Sequence, residues 1–176
     1  MTIPVTGATG FIGPSLVALL RLHAHTVICA VRQAQPEAFV HGTMSEQTDW
    51  RLALNTCAAN TCAPKVCDVV VHLAARVHQI NEMASDPLTE YRRLNVAGTL
   101  KLAQQAASSG TKRFIFLSTI QVSGEQTRPG QAFCSKDSPN PQDHYALSSL
   151  DQDLLQVAQH VQKQGQKPMQ KQREGL

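Results

Sequence analysis

The sequence predicts an α/β fold built on one parallel sheet with flanking helices, and three observations carry that expectation. Short β-branched apolar runs alternate with segments of helical apolar spacing, the pattern of βαβ units. The chain has 176 residues and is 42% apolar, enough for one domain with a sizeable core and hardly enough for two. The stretch from Asp68 to Leu73 holds an apolar run of the kind shown by a strand buried on both faces.

The elements follow in order. Ile3 to Thr6 reads as a first strand, although Pro4 deletes a ladder donor and should weaken a central strand. Phe11 to Leu22 reads as a helix turning Phe11, Leu16, Leu19 and Leu20 toward the sheet, with Pro14 tolerated in its first turn. Thr26 to Val31 is the second strand. From Gln33 to Lys65 the pattern is weaker, with a short strand near Phe39 and Val40 and a helix from about Asp49 to Thr56. After the Asp68–Leu73 strand, Leu88 to Ala107 forms a long helix closed after Ser109 by Gly110. Arg113 to Ser118 is a fifth, buried strand. A polar loop runs from Gly124 to Asp143, and Tyr145 to Val161 has helical spacing at Leu147, Leu150, Leu154, Leu155 and Ala158. Residues 162–176 have almost nothing to bury and read as a disordered polar tail behind a domain spanning 1–161.

Charge excludes one class of function. Residues 1–160 hold as many acidic as basic side chains, and the net +3 comes from Lys163, Lys167, Lys171 and Arg173 against Glu174. A nucleic-acid binder carries its basic surface on the folded body, so no nucleic-acid partner is expected. No apolar run approaches the roughly 20 residues of a membrane helix, so no membrane partner is expected either. No Lys or Arg precedes the apolar stretch Phe11–Leu20, which argues against a secretory signal. The five cysteines, Cys29, Cys57, Cys62, Cys67 and Cys134, form an odd set without a CxxC pair, which points to reduced thiols and a cytoplasmic protein. The even spacing of Cys57, Cys62 and Cys67 is not a zinc-site pattern, and no metal is expected.

Thr6-Gly7-Ala8-Thr9-Gly10-Phe11-Ile12-Gly13 sets three glycines at three-residue intervals between a strand and a helix. That context marks a dinucleotide-binding turn: it must be tight, approach a pyrophosphate closely and let helix and strand pack together. The helix start then offers N–H groups and a positive dipole end to the phosphates. An acidic residue at the end of the second strand would hold the adenine ribose of NAD, but the sequence there reads Ala30-Val31-Arg32. Arg32 would tolerate or pair a 2′-phosphate, which tips the expectation from NAD toward NADP; the other reading is a solvated strand-end residue.

With TGATGFIG, DVVVHLAA (Asp68–Ala75), YRRLNVAGT (Tyr91–Thr99), RFIFLSTIQVSGE (Arg113–Glu125) and Tyr145 in PQDHYALSS, the chain resembles the extended short-chain dehydrogenase/reductase superfamily. More narrowly, it resembles the NAD-dependent epimerase/dehydratase family, near the nucleotide-sugar 4-epimerases and related reductases. The motifs stand in family order over residues 1–158 and cover the amino-terminal half of family members.

The resemblance implies a Rossmann-type parallel sheet, truncated here after the fifth strand and the Tyr-bearing helix, so that FIFLS becomes an apolar edge open to self-association. It implies that Gly7, Gly10, Phe11, Ile12 and Gly13 form the pyrophosphate turn and that Leu73, Ala74 and Ala75 floor the cofactor site. Asn95 matches the family Asn and could equally be a structural hydrogen-bonding residue. Thr119 stands at the catalytic Ser/Thr position, and Tyr145 is the general base during hydride transfer between a UDP-sugar carbon and the nicotinamide. A tyrosine working at neutral pH needs its pKa lowered by about three units, roughly 4 kcal/mol. The family uses a Lys four residues after the Tyr, whereas this sequence has Ser149 there and its nearest Lys, Lys136, in the preceding loop. Gly42-Thr43 stands where relatives have Gly-Asp. Two expectations follow: an NAD(P)-dependent epimerase, dehydratase or reductase, or a noncatalytic dinucleotide-binding remnant of one.

Overall fold

The computed structural model describes residues 1–57, 64–77, 84–127 and 129–153. Strand β1 (Thr2–Thr6) leads through the glycine turn into α1 (Gly13–Leu22), and β2 (Thr26–Val31) returns parallel to β1. Next come β3 (Phe39–Val40), the short α2 (Arg51–Leu54) and an antiparallel pair, β4 (Asn55–Cys57) with β5 (Pro64–Val66). Strand β6 (Val69–His72) is followed by α3 (Pro87–Tyr91), which runs through a π-helical stretch, Arg92–Ala97, into α4 (Gly98–Ser108). Strand β7 (Arg113–Phe116) and a further helix, α5, at residues 144–153, complete the described elements.

The main sheet has the order β3-β2-β1-β6-β7, all its pairs parallel. Chain order reverses beside β1, and crevices at the carboxyl ends of strands open at such a switch point. The alternation of side chains fills a core on each face. Ile3, Val5, Val31, Val69 and Val71 pack with Val17 of α1 on one side, and Ala30 and Val70 pack with Trp50, Leu54, Leu102 and Ala106 on the other. This is the Rossmann-type architecture that the alternating pattern predicts.

The structure departs from the expectations in several elements. Helix α1 begins at Gly13, so Phe11 and Ile12 belong to the turn; Phe11 is fully exposed and Leu19 is 52% exposed, while Val17 is buried with Leu16 and Leu20 beside it. The inward stripe is Gly13, Leu16, Val17 and Leu20, at i, i+3, i+4 and i+7, which leaves Leu19 on its border. The helix expected from Asp49 to Thr56 is confined to Arg51–Leu54, because Asn55 to Cys57 leave it to pair with β5. Strand β7 is half-buried rather than doubly buried: Phe114 and Phe116 pack beside His72, whereas Ile115 and Leu117 are about half exposed. Helix α5 buries Ala146, Ser148, Ser149 and Gln152, with Leu147 and Leu150 only partly covered, so its inner face is largely polar. Leu154, Leu155, Ala158, Cys62 and the stretch 162–176 lie outside the described residues.

Pro4 does sit in the central strand. Thr2 N–H donates to Asp68 Oδ2 (3.1 Å) and Thr2 O accepts from Asp68 N (3.0 Å), so the backbone groups of residues 2, 4 and 6 face β6. The donor that Pro4 lacks therefore falls on the β6 side. There the ladder consists of Val5↔Val71 and Thr6↔His72, whereas β1 pairs with β2 from Thr2↔Thr26 to Thr6↔Ala30. The start of α3 is defined by Asp86, whose carboxylate accepts from Thr89 N (3.2 Å), with Pro87 in the first turn. Among the described residues no helix is long and apolar enough to cross a membrane.

Candidate functional site

The glycine turn lies at the carboxyl end of β1, against the carboxyl end of β6. Gly7 has φ +66°, and a Cβ there would stand 2.8 Å from Ala74 N and 2.9 Å from Leu73 C. A Cβ on Gly13 would overlap the Gly7 carbonyl oxygen and stand 2.5 Å from the Ala8 carbonyl carbon. Gly10 N–H closes the turn onto Gly7 O at 2.9 Å. Helix α1 then starts without a side-chain cap and without an acidic residue in its first turn. Uncapped N–H groups beside a backbone cradle with no room for a Cβ fit an anionic pyrophosphate.

Thr6, the last residue of β1, ties this turn to the neighbouring strand. Its Oγ1 accepts from Leu73 N and Ala74 N, both at 3.2 Å, and lies 2.6 Å from His72 Nδ1. Leu73 and Ala74 are thereby held against Gly7, and Ala75 beyond them is exposed. His72 is completely buried, and its Nε2 lies 2.8 Å from Thr99 Oγ1. Burial, reinforced by His41, pushes its pKa down to about 3, so the ring is neutral.

Asn95 stands in the π-helical stretch, wholly buried, with its amide engaged by the protein. Oδ1 accepts from Arg76 N (2.7 Å), and Nδ2 donates to Arg76 O (3.0 Å) and to Ser148 Oγ (2.9 Å). Of the two roles open to Asn95, its contacts fill the structural one. The extra residue of a π turn shifts the register of side chains along the helix, and such turns recur at functional sites. Gln152 Nε2 bridges Asn95 O and Thr99 Oγ1, both at 2.7 Å. Arg92 pairs with Asp151 at 2.8 Å across the same two helices. The Arg76 guanidinium carbon lies 5.2 Å from the centroid of the Tyr91 ring, whose hydroxyl donates to Val77 O.

Tyr145 occupies the first turn of α5, 6.5 Å from Tyr91 ring to ring. Burial raises its pKa above the usual 10; the hydroxyls of Ser149 and Thr119 pull it down, and Asp143 and Tyr91 push it up. No cation stands among these influences, so the tyrosine is held protonated at neutral pH. Thr119 caps the 3₁₀ turn Ile120–Ser123. The structure thus brings Thr119, Tyr145 and Ser149 together. Arg32 lies apart from them, exposed beyond the end of β2, where its charge acts with burial to lower the pKa of His41.

Residues 3–168 match the NAD dependent epimerase/dehydratase family. The chain belongs to this family. A UDP-glucose 4-epimerase from Vibrio cholerae is 41% identical over 162 residues, covering 89% of this chain and 46% of the relative. Among solved structures, a short-chain dehydrogenase/reductase superfamily protein from Agrobacterium tumefaciens with bound NAD is 25% identical with a TM-score of 0.67, covering 90% of this chain and 45% of that one. MoeE5 in complex with UDP-glucuronic acid and NAD is 25% identical with a TM-score of 0.70, covering 90% of this chain and 49% of that one. The chain thus spans about half the length of these relatives.

The site also holds Thr6, His72, Thr99 and Ser148, which lie within the quoted motifs but to which the sequence reading gives no role, and Gln152, which lies outside them. Their signals were present. His72 interrupts an apolar strand, and Asn95 with Thr99, and Ser148 with Gln152, are polar pairs four residues apart on one helical face.

Proposed function

We propose that this chain binds a nicotinamide dinucleotide on the Gly7–Gly13 turn and represents the cofactor-binding half of a nucleotide-sugar epimerase, dehydratase or reductase acting in the cytoplasm. The observation that carries this reading is the turn itself, where a Cβ at Gly7 or Gly13 would strike backbone beside an uncapped helix start. On this reading Phe11 and Ile12 flank the pyrophosphate and Leu73, Ala74 and Ala75 floor the site. Arg32 pairs the 2′-phosphate, favouring NADP over NAD. The bound nicotinamide would supply hydride transfer at a carbon of a UDP-sugar. For its part the protein would hold the reacting sugar oxygen with Thr119, and Tyr145, once deprotonated to the phenolate, would receive the sugar hydroxyl proton.

A second reading has its own observation. Ser149 replaces the cation that the family chemistry uses, and burial holds the Tyr145 pKa up rather than down. A noncatalytic dinucleotide-binding chain is consistent with both facts. Titration calorimetry of the purified protein with NADP and NAD tests the proposal: micromolar binding that favours NADP is expected, and no binding of either overturns it. Turnover of a UDP-sugar by the unmodified chain would overturn the noncatalytic reading.

A further inference from the structure

Thr6, His72, Thr99 and Gln152 come from β1, β6, α4 and α5, and each is at most 2% exposed. They form one line of contacts at 2.6, 2.8 and 2.7 Å. The donors and acceptors fix its sense. Thr6 Oγ1 already accepts two backbone N–H groups, so its own proton goes to His72 Nδ1, which must accept. The ring proton then resides on Nε2 and is donated to Thr99 Oγ1, which also accepts from Gln152. Protonation would turn Nδ1 into a donor and reverse the Thr6 contact. Around the ring stand Thr6, Phe114, Phe116, Thr99 and, at longer range, His41, the titratable group that acts on it.

We propose that His72 is a positioning residue of the candidate site: as a neutral Nε2–H ring it couples the phosphate turn at Thr6–Gly7 to the helix that carries Tyr145. At one end Thr6 holds Leu73 and Ala74 against Gly7. At the other, Gln152 lies on the same helix as Tyr145, about two turns further along. Ser148 gives a second attachment, donating to Tyr145 O (2.8 Å) and accepting from Asn95. A shift of the turn on binding an anion is therefore felt at Tyr145. The response to cofactor rests on the dinucleotide reading; the tautomer and the Thr6-to-Gln152 connection do not.

The test uses the full chain. Nitrogen NMR of the His72 ring should show a bare Nδ1 and a protonated Nε2; the opposite tautomer overturns the proposal. With ring-labelled tyrosine the protein gives two signals, Tyr91 and Tyr145. Thr99→Val removes the shared hydroxyl at equal volume and should displace the Tyr145 signal without cofactor, while Thr99→Ser restores it. A Tyr145 signal unmoved by Thr99→Val, or equally moved by Thr99→Ser, marks a merely structural histidine and overturns the proposal. Gln152→Leu cuts the same line at α5 and serves if Thr99→Val fails to fold. NADP should shift the Tyr145 signal in the unmodified protein and shift it less in Thr99→Val, with affinity several-fold weaker. If the unmodified protein binds neither dinucleotide, the functional reading fails, and the positioning role stands or falls on the cofactor-free comparison.

Discussion

Acidification from about pH 7.5 to about pH 5 should destabilise this protein by roughly 2 kcal/mol, with His72 as the main cause. In the unfolded chain this imidazole takes a proton below its ordinary 6.5; in the folded protein, burial and then His41 hold it neutral down to about 3. Unfolding therefore takes up one proton throughout that window, and stability falls by about 1.4 kcal/mol per pH unit. The sign follows: the stabilisation is complete above the unfolded value of 6.5 and is lost progressively as pH falls toward 3. His41, also lowered by burial, acts in the same direction. The lowered carboxyls of Asp49, Asp68 and Asp86 start from 3.8 and lose their contribution in more acidic solution, and the carboxyl of Asp153, raised by burial, acts in the opposite sense, so the loss of stability between 5 and 6.5 comes from the histidines. Urea unfolding of the wild type and of His72→Gln at both ends of this range measures the effect. Equal midpoints at the two pH values, or an undiminished pH dependence in His72→Gln, would refute the reasoning.

The other predictions concern the turn, the tyrosine, the cofactor and the sheet edge. Gly7→Ala forces a Cβ onto a φ of +66° and against Ala74, which should cost at least about 1–2 kcal/mol and abolish dinucleotide binding; a melting temperature and a calorimetric titration equal to wild type would count against it. Ser149→Lys should lower the Tyr145 pKa by about 1–3 units, read by NMR of ring-labelled tyrosine against pH; an unmoved value would show that the ammonium does not reach the phenol. Arg32→Glu should weaken NADP binding tenfold or more and spare NAD, and equal losses for both would remove Arg32 from 2′-phosphate recognition. We propose that the apolar edge of β7 pairs between copies, so the wild type should show concentration-dependent mass by light scattering and Ile115→Lys should be smaller; a wild type monomeric at all concentrations refutes this.

Strand and helix identities were legible where one period dominates over enough residues. Val69 to His72 and Thr26 to Val31 are nearly all β-branched or small and apolar, and the last part of the long helix, Gly98–Ser108, buries Thr99, Leu102, Ala103 and Ala106 at regular helical spacing. Periodicity gives no sign of where a turn hands over to a helix, and so it extends the first helix back to Phe11, whereas α1 begins at Gly13. It is equally silent about a segment whose partner is close in sequence but weakly patterned, as with Asn55–Cys57 and Pro64–Val66. At the site, the glycines were readable because their spacing reflects steric exclusion. The polar residues behind them were harder to read, since a buried Ser148 or Gln152 looks like a surface residue until the position of its partners is known. Thr6 and His72 are 66 positions apart, and only the parallel pairing of β1 with β6 makes them neighbours.

That pairing gives Pro4 a wider meaning. At the amino end of the β1–β6 seam the strands are fastened through Asp68, whose carboxylate takes Thr2 N–H and also meets Lys112. The regular ladder begins past Pro4 and includes the pair Thr6↔His72. A slip of one residue would send one of these side chains to the opposite face of the sheet and separate them. Registration of the central seam and assembly of the candidate site are therefore the same event: a chain that closes this sheet correctly has, in that step, already joined its phosphate turn to the strand that supports it.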